Sequence, residues 1–471
     1  MRSPASVFCK LPDRALDQPL FLTRAPPATR LSKVHEGTGN GRDALQLLVG
    51  PLQFMVYAYS ARGSTAMNSM RTAPLSGIRV LDFTSMIAGP YCSRLLADCG
   101  AEVLKLEDLS GDHMRNGKPL RGGHSAYFGH LNCGKRSLAV DLKSPEGKSI
   151  AIELAAKSDI VLENYRPGVM KRLGLDYTSL TTDHPDLIYC AISGFGQTGP
   201  RANQPAYAPV VHAASGFDHA HFAYQDGVDR PAKTGIFVAD VLAAVYAFSA
   251  VQTALIGRLR HGVGQFIDVA LMDSMINLLI FECQEVQFPS GTRRHLYIPL
   301  KAQDGFVIVA PVNQRNFEQM ADATGNPGWK SDPCFKTGDA RSANWDALMK
   351  GVEAWTQTRS ARECENTLMT AGVPCSRYLT VAEAMADPQV VSRGTMATVE
   401  DAAGQFLVPN PPFKFADGSV TAQRQVPLLG EDTQSVLKDI LKMTPPKIEM
   451  LVANGVVRQS AADAARGKPT S

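Results

Sequence analysis

Asp240 heads an unusually apolar run. It stands in Lys233-Thr-Gly-Ile-Phe-Val-Ala-Asp240-Val-Leu-Ala-Ala-Val-Tyr246, and no charged side chain follows from residue 241 to residue 257. The only polar breaks are Ser249, Gln252, Thr253 and the hydroxyl of Tyr246. A helix that is apolar nearly all round is buried, so this run predicts a buried helix with Asp240 at its start. A carboxylate there has two uses. As an N-cap it accepts bonds from free backbone N–H groups and contributes about 1 kcal/mol. As a nucleophile it attacks an activated carbonyl and forms a covalent intermediate.

Two further motifs carry possible chemistry. Gly194-Phe-Gly196-Gln-Thr-Gly199 matches the spacing of a dinucleotide loop, which needs a helix to open within it so that its N-terminus meets the pyrophosphate. Pro200-Arg-Ala-Asn-Gln-Pro205 follows instead, so the motif reads as a glycine-rich turn. His212 is the imidazole closest to Tyr207 in sequence, and is either an acid/base group or a hydrogen-bonded structural residue.

The elements that must hold these residues follow a regular alternation from residue 75. Strand-like segments at 77–83, 102–107, 159–163 and 187–193 alternate with helical ones at 91–99, 144–156 and 177–183. Such alternation implies a parallel, doubly wound sheet. The apolar run at Asp240 ends in Arg258-Leu-Arg260-His261-Gly262, a helix stop with cations in the last turn, followed by a strand-like 265–271. That context argues against a membrane span. Residues 304–310 read as a strand, 317–371 as mostly helical, and the segment from Pro427 as a helix capped at Asp432 or Thr433.

Composition bounds the remaining classes. A chain of 471 residues is long enough for two or three domains. The net charge of +3 and the lack of a basic run with interleaved aromatics give no nucleic-acid signature. Nine cysteines without a CxxC pair or metal spacing imply reduced thiols, a cytoplasmic setting and no metal site. Residues 1–73 differ in texture, rich in Arg, Pro and Gly, and read as a poorly structured extension with Met67 or Met70 as an alternative start.

Read together, the segments resemble the class III CoA-transferases, the family of formyl-CoA transferase, carnitine CoA-transferase and the 2-methylacyl-CoA racemases. The resemblance rests on Leu75-Ser-Gly-Ile-Arg-Val-Leu-Asp-Phe-Thr84, Ala88-Gly-Pro90, Leu96-Ala-Asp-Cys-Gly-Ala-Glu-Val-Leu-Lys-Leu-Glu107 and Asn132-Cys-Gly-Lys-Arg-Ser137. It extends through Asp141-Leu-Lys-Ser-Pro-Glu-Gly147, Val161-Leu-Glu-Asn-Tyr-Arg-Pro-Gly168, Ile192-Ser-Gly-Phe-Gly196, the Asp240 segment and Pro427-Leu-Leu-Gly-Glu431. It implies CoA transfer from an acyl-CoA to a carboxylic acid, with Asp240 as nucleophile through a mixed anhydride and an aspartyl-CoA thioester. CoA is then substrate rather than resident cofactor, with Ala88, Lys143, Asn164, Tyr165 and Arg172 as its contacts. Lys143 and Arg172 read equally as solvated surface charges, and Asn164 as a turn residue.

The resemblance further implies an α/β fold with a Rossmann-like large domain (74–261 and 430–471), a small α/β domain (296–404) and linkers at 262–295 and 405–429. Each chain would form a ring interlocked with a second in a homodimer. Several positions depart from the family pattern. Asp108 stands where formyl-CoA transferase has Arg, Ile87 replaces a Gln, and Tyr207-Ala208 lacks both that enzyme's acid and the racemases' His-Asp pair. Its glycine-rich loop is reduced to Ser290-Gly291-Thr292. These departures argue against formyl/oxalate exchange. They leave a racemase-like proton exchange and a CoA-binding protein without turnover as alternatives.

Overall fold

A computed structural model of the protein describes residues 72–182, 184–231, 233–291 and 295–460. The extension expected over 1–73, its alternative start sites and Thr292 lie outside the described residues, except for residues 72 and 73.

The alternation of apolar strand and helix builds β1 (Arg79–Asp82) and β2 (Glu102–Glu107), then a short hairpin of β3 (Leu120–Arg121) and β4 (His124–Ser125). Next come β5 (Arg136–Val140), β6 (Ile160–Glu163), β7 (Ile188–Ser193) and β8 (Phe266–Ala270). A three-stranded antiparallel sheet, in the order β11-β10-β9, joins β9 (Leu300–Lys301), β10 (Phe306–Val309) and β11 (Cys375–Arg377). β12 (Met396–Asp401) and β13 (Gly404–Pro409) form a hairpin, and β14 (Val457–Arg458) closes the series.

The large sheet has seven strands in the order β14-β5-β2-β1-β6-β7-β8. All its pairings are parallel except that of β14 with β5. Its central strands are buried on both faces, as expected of a parallel sheet covered twice by helices. The Ala88–Asp98, Ala208–Ala214, Val238–His261 and Leu271–Leu278 helices share one core on one face. The Pro145–Ala155, Thr433–Asp439 and Pro445–Ala453 helices cover the other. A separate core forms where the β9-β10-β11 sheet meets the Gln314–Ala323, Trp345–Thr356 and Ala361–Thr370 helices.

Local chemistry sets several boundaries where the sequence placed them. Ser144 caps the Pro145–Ala155 helix, accepting the Gly147 N–H at 3.0 Å, and Gly262 ends the Val238–His261 helix at φ 72°. Asp432 precedes the Thr433–Asp439 helix but caps nothing, because its carboxylate takes the Ser137 N–H at 3.0 Å. No helix opens within residues 194–205, so the GxGxxG spacing is a turn.

Residues 262–291 carry β8, which falls in the segment read as strand-like and extends the parallel sheet beside β7, and two helices. One expectation needs correction: the Val238–His261 helix is not buried all round. It lies flat on the sheet and buries one stripe, Ala239, Ala243, Ala244, Ala247, Phe248, Val251, Ala254 and Leu255. Its other side leaves Val241, Val245, Ile256 and Leu259 exposed. This helix alone, among the described residues, is long and apolar enough to cross a membrane, with a mean hydropathy of 1.6. Here it is a sheet-packing element.

Candidate active site

Strand order reverses at β1. The chain runs outward through β2 and β5, then returns to β6, β7 and β8 on the other flank. Loops leaving β1 and β6 therefore diverge, and a crevice opens at the carboxyl ends of these strands, where ligands bind in open α/β sheets. A cavity of about 240 Å³ lies there. Ala88 enters it from the loop after β1, Asn164 and Tyr165 from the loop after β6, and Asp240 from the first turn of its helix.

Asp240 is not a cap. Phe237 occupies that position, and the Asp240 side chain makes no cap bond. Its carboxylate has no hydrogen bond or ion pair among the described residues. Burial alone pushes its pKa up to about 6. The helix N-terminus works the other way, favouring the anion by at most roughly 1 kcal/mol in most settings, so desolvation prevails. At neutral pH the group is mostly ionised, weakly solvated and unpaired, which is the state of an activated carboxylate nucleophile. The half-buried phenol of Tyr127 has its pKa raised by burial and further by the Asp240 charge, which places it in that charge's field.

The loop after β1 rests on a buried charge network. Asp82, at the end of β1, accepts the Thr84 N–H (2.9 Å), the Thr84 hydroxyl (2.5 Å), the Ser93 hydroxyl (2.6 Å) and the Lys135 ammonium (3.1 Å). Lys105 donates to the Thr84 carbonyl (2.8 Å) and to Asp112 (3.0 Å). All four charged groups are buried. Burial tends to raise the Asp82 pKa, yet Lys135 and Lys105 hold it below the usual carboxylate range. For Lys135 desolvation prevails and brings its ammonium down to about 8.

This network clamps the loop from Thr84 to Pro90. Gly89 approaches so closely that a Cβ there would stand 2.3 Å from the Thr84 side chain. Met86, on the cavity wall, is held at φ 66°, a left-handed conformation that ordinary residues seldom adopt. Ile87 precedes the Ala88–Asp98 helix without offering an acceptor, so the first N–H groups of that helix have no partner among the described residues. Of the residues that carry them, Ala88 lines the cavity.

Four of the six site residues expected from sequence thus meet in one cavity: Asp240, Ala88, Asn164 and Tyr165. Lys143 and Arg172 do not line it. Both are exposed. Lys143 helps to hold the Asp108 carboxylate below its usual range, behind the hydrogen bonds from Ser110. The Arg172 guanidinium lies beside Gly168, 3.5 Å from where a Cβ there would stand.

Sequence reasoning missed the buried network and the Met86 turn, because neither has a local signature. It also passed over Arg166, a cavity-wall cation inside the Val161–Gly168 stretch it had singled out. His212 is the structural residue. It is buried, and its Nε2 accepts the Ala239 N–H at 3.1 Å. Tyr207 lines the cavity and is exposed, leaving no imidazole in that place for a racemase-like proton exchange.

Comparison with known proteins places the chain among its relatives. The model of CoA-transferase family III matches residues 75–433. The human succinyl-CoA:glutarate CoA-transferase is 31% identical over 415 residues, covering 85% of this chain and 93% of the human protein. The acetyl-CoA:oxalate CoA-transferase of Acetobacter aceti is 34% identical over 354 residues, covering 73% and 89%. A crystal structure of a CAIB/BAIF family protein from Brucella suis superposes with a TM-score of 0.70 at 32% identity, over 79% of this chain and 100% of that one. With a family match across most of its length and its acidic group in the switch-point crevice, the chain belongs to CoA-transferase family III and is an enzyme that transfers CoA.

Proposed function

We propose that the protein moves CoA from an acyl-CoA thioester to a free carboxylic acid through covalent intermediates on Asp240. The observation that carries this reading is the unpaired, half-buried Asp240 carboxylate in the switch-point cavity. Its oxygen attacks the thioester carbonyl, the C–S bond breaks, and a mixed anhydride and CoA thiolate form. The thiolate attacks the aspartyl carbon of the anhydride, giving an aspartyl-CoA thioester and releasing the donor acid. The acceptor carboxylate attacks that thioester, forming a second mixed anhydride and regenerating thiolate. Attack of thiolate on the acceptor's acyl carbon yields the new acyl-CoA and restores Asp240. No net proton is consumed, and no resident cofactor is required.

The free N–H groups of Ala88 and Gly89 are suited to the anionic tetrahedral species in these steps. Tyr165 and Asn164 then line the path of the pantetheine arm, and Arg172 and Lys143, on the exposed surface, meet the phosphates at its far end. Trapping tests the core of the reading. Incubation with acyl-CoA and hydroxylamine should convert the Asp240 peptide to its hydroxamate, read by mass spectrometry. An unmodified Asp240 in an enzyme that turns over would end the proposal. Glutarate and oxalate, the acids named for the relatives, head the acceptor panel.

We further propose a cytoplasmic homodimer whose two chains, each with a large and a small domain, are interlocked. The exposed apolar residues Val241, Ile256 and Leu259, with Ile280, Val286 and Phe288 beyond β8, support it by offering a surface for a second copy to cover. Interlocked chains separate only by unfolding. Sedimentation should therefore find a dimer down to nanomolar concentration, and a folded monomer there would exclude it.

A further inference from the structure

We infer that His212 is a positioning residue for Asp240: its imidazole takes the first-turn N–H of Ala239, so the neighbouring carboxylate does not fold back onto that donor. The inference rests on Asp240 being the nucleophile.

The need arises from the sequence at the helix start. Phe237 occupies the cap position of the Val238–His261 helix and has no side-chain acceptor. Backbone bonds run from Val238 N–H to Ile236 (2.9 Å) and from Val241 N–H to Phe237 (3.1 Å), which leaves the donors of Ala239 and Asp240. A free first-turn N–H attracts an acidic side chain in the same turn. Asp240, one residue on, is the natural candidate to fold back onto it. A carboxylate spent in that way is a weaker, more acidic nucleophile.

The tertiary structure supplies a different acceptor. His212 lies on the Ala208–Ala214 helix, which shares a core with the Val238–His261 helix through Ala208 and Val211. Its ring is 1% exposed, tilted against Phe217 at 5.4 Å between centroids, and its Nε2 receives the Ala239 N–H at 3.1 Å. Because Nε2 accepts, the ring's proton sits on Nδ1, which has no partner among the described residues. An orphaned buried donor is costly, and the bond accepted by Nε2 is set against that cost. Burial depresses the imidazole pKa against the opposing pull of Asp218, which keeps the ring neutral and accepting.

Three substitutions test the inference. Gln places Oε1 as many bonds from the backbone as Nε2, Asn is one bond short, and Leu accepts nothing. His212→Gln should keep kcat within about threefold of the parent. His212→Leu and His212→Asn should lose about 10- to 100-fold in kcat, as small misplacements of catalytic groups do. KM for acyl-CoA should shift less than about threefold in all three, because the cavity wall is untouched. The rate of hydroxamate formation at Asp240 should fall in parallel with kcat. The Asn variant retains a readout should the Leu variant fail to fold. Equal kcat in parent and Asn variant would overturn the inference, as would equal losses in the Asn and Gln variants. Loss of the nucleophile reading appears separately, as full hydroxamate-independent turnover by Asp240→Asn.

Discussion

The side-chain amide of Asn164 closes a two-point bond with the backbone of Ser85, accepting its N–H at 2.9 Å and donating to its carbonyl at 2.8 Å. Seventy-nine residues apart in sequence, the two lock the loop after β1 to the loop after β6, across the point where strand order reverses. The cavity wall at Met86 is held from both sides, by this pair and by Asp112, which accepts the Met86 N–H at 3.3 Å.

Asn164→Ala should therefore loosen the wall more than the fold. Removing two hydrogen bonds costs about 1–3 kcal/mol, while KM for acyl-CoA should rise about tenfold. Asn164→Asp keeps the acceptor only and should fall between the two. Steady-state kinetics with thermal unfolding of the same samples separates the effects, and a stability loss with unchanged KM would contradict the assignment.

Asp240 makes opposite predictions for activity and stability. Its folded pKa of about 6 exceeds the ordinary carboxylate value of 3.8, so burial of the charge opposes folding above that window. Stability falls as pH rises from about 4 to 6 and is level beyond. Asp240→Asn should be more stable than the parent by about 1–2 kcal/mol at pH 7.5, after allowance for partial solvent access. The difference should vanish near pH 4. Activity of the parent should decline below pH 6 as the nucleophile protonates, a limb that pH–rate profiles would locate.

The buried ion network should be costly to break singly. Lys135→Met leaves Asp82 without its closest cation and should destabilise by roughly 3–5 kcal/mol. Pairing it with Asp82→Asn removes the orphaned charge and should recover at least half. Urea unfolding of the single and double variants measures the coupling, and additive losses would show that the pair does not act as a unit.

Glu163 ends β6 with one partner, the Tyr165 N–H at 2.7 Å, and burial pushes its carboxyl pKa up to about 8. The folded state holds a proton that the unfolded state releases near 4.5. Stability therefore falls as pH rises from about 4.5 to 8. Glu163→Gln retains the acceptor and removes this slope, so its advantage should grow across that window to an order of about 3 kcal/mol. Melting curves at pH 5 and pH 8.5 suffice, and a constant offset would refute the assignment.

Most of the local structure was legible without coordinates. Strands such as Glu102–Glu107, the helix read over 144–156 and the Gly262 stop follow from side-chain pattern and turn chemistry within a few residues. So did the position of Asp240 at the mouth of a long helix, and the family that its surrounding motifs match. Only the tertiary structure decided what surrounds that carboxylate. Its raised pKa depends on the apolar surroundings supplied by separate strands and loops, its freedom on an imidazole 28 residues away, and its cavity on the sheet order that sets Ser85 against Asn164. The sequence also predicted a helix buried on every side, where the fold of the single chain buries one stripe of it. Apolar composition records how much surface a helix must hide, but what hides it is set by the elements packed around it, and those are remote in the chain.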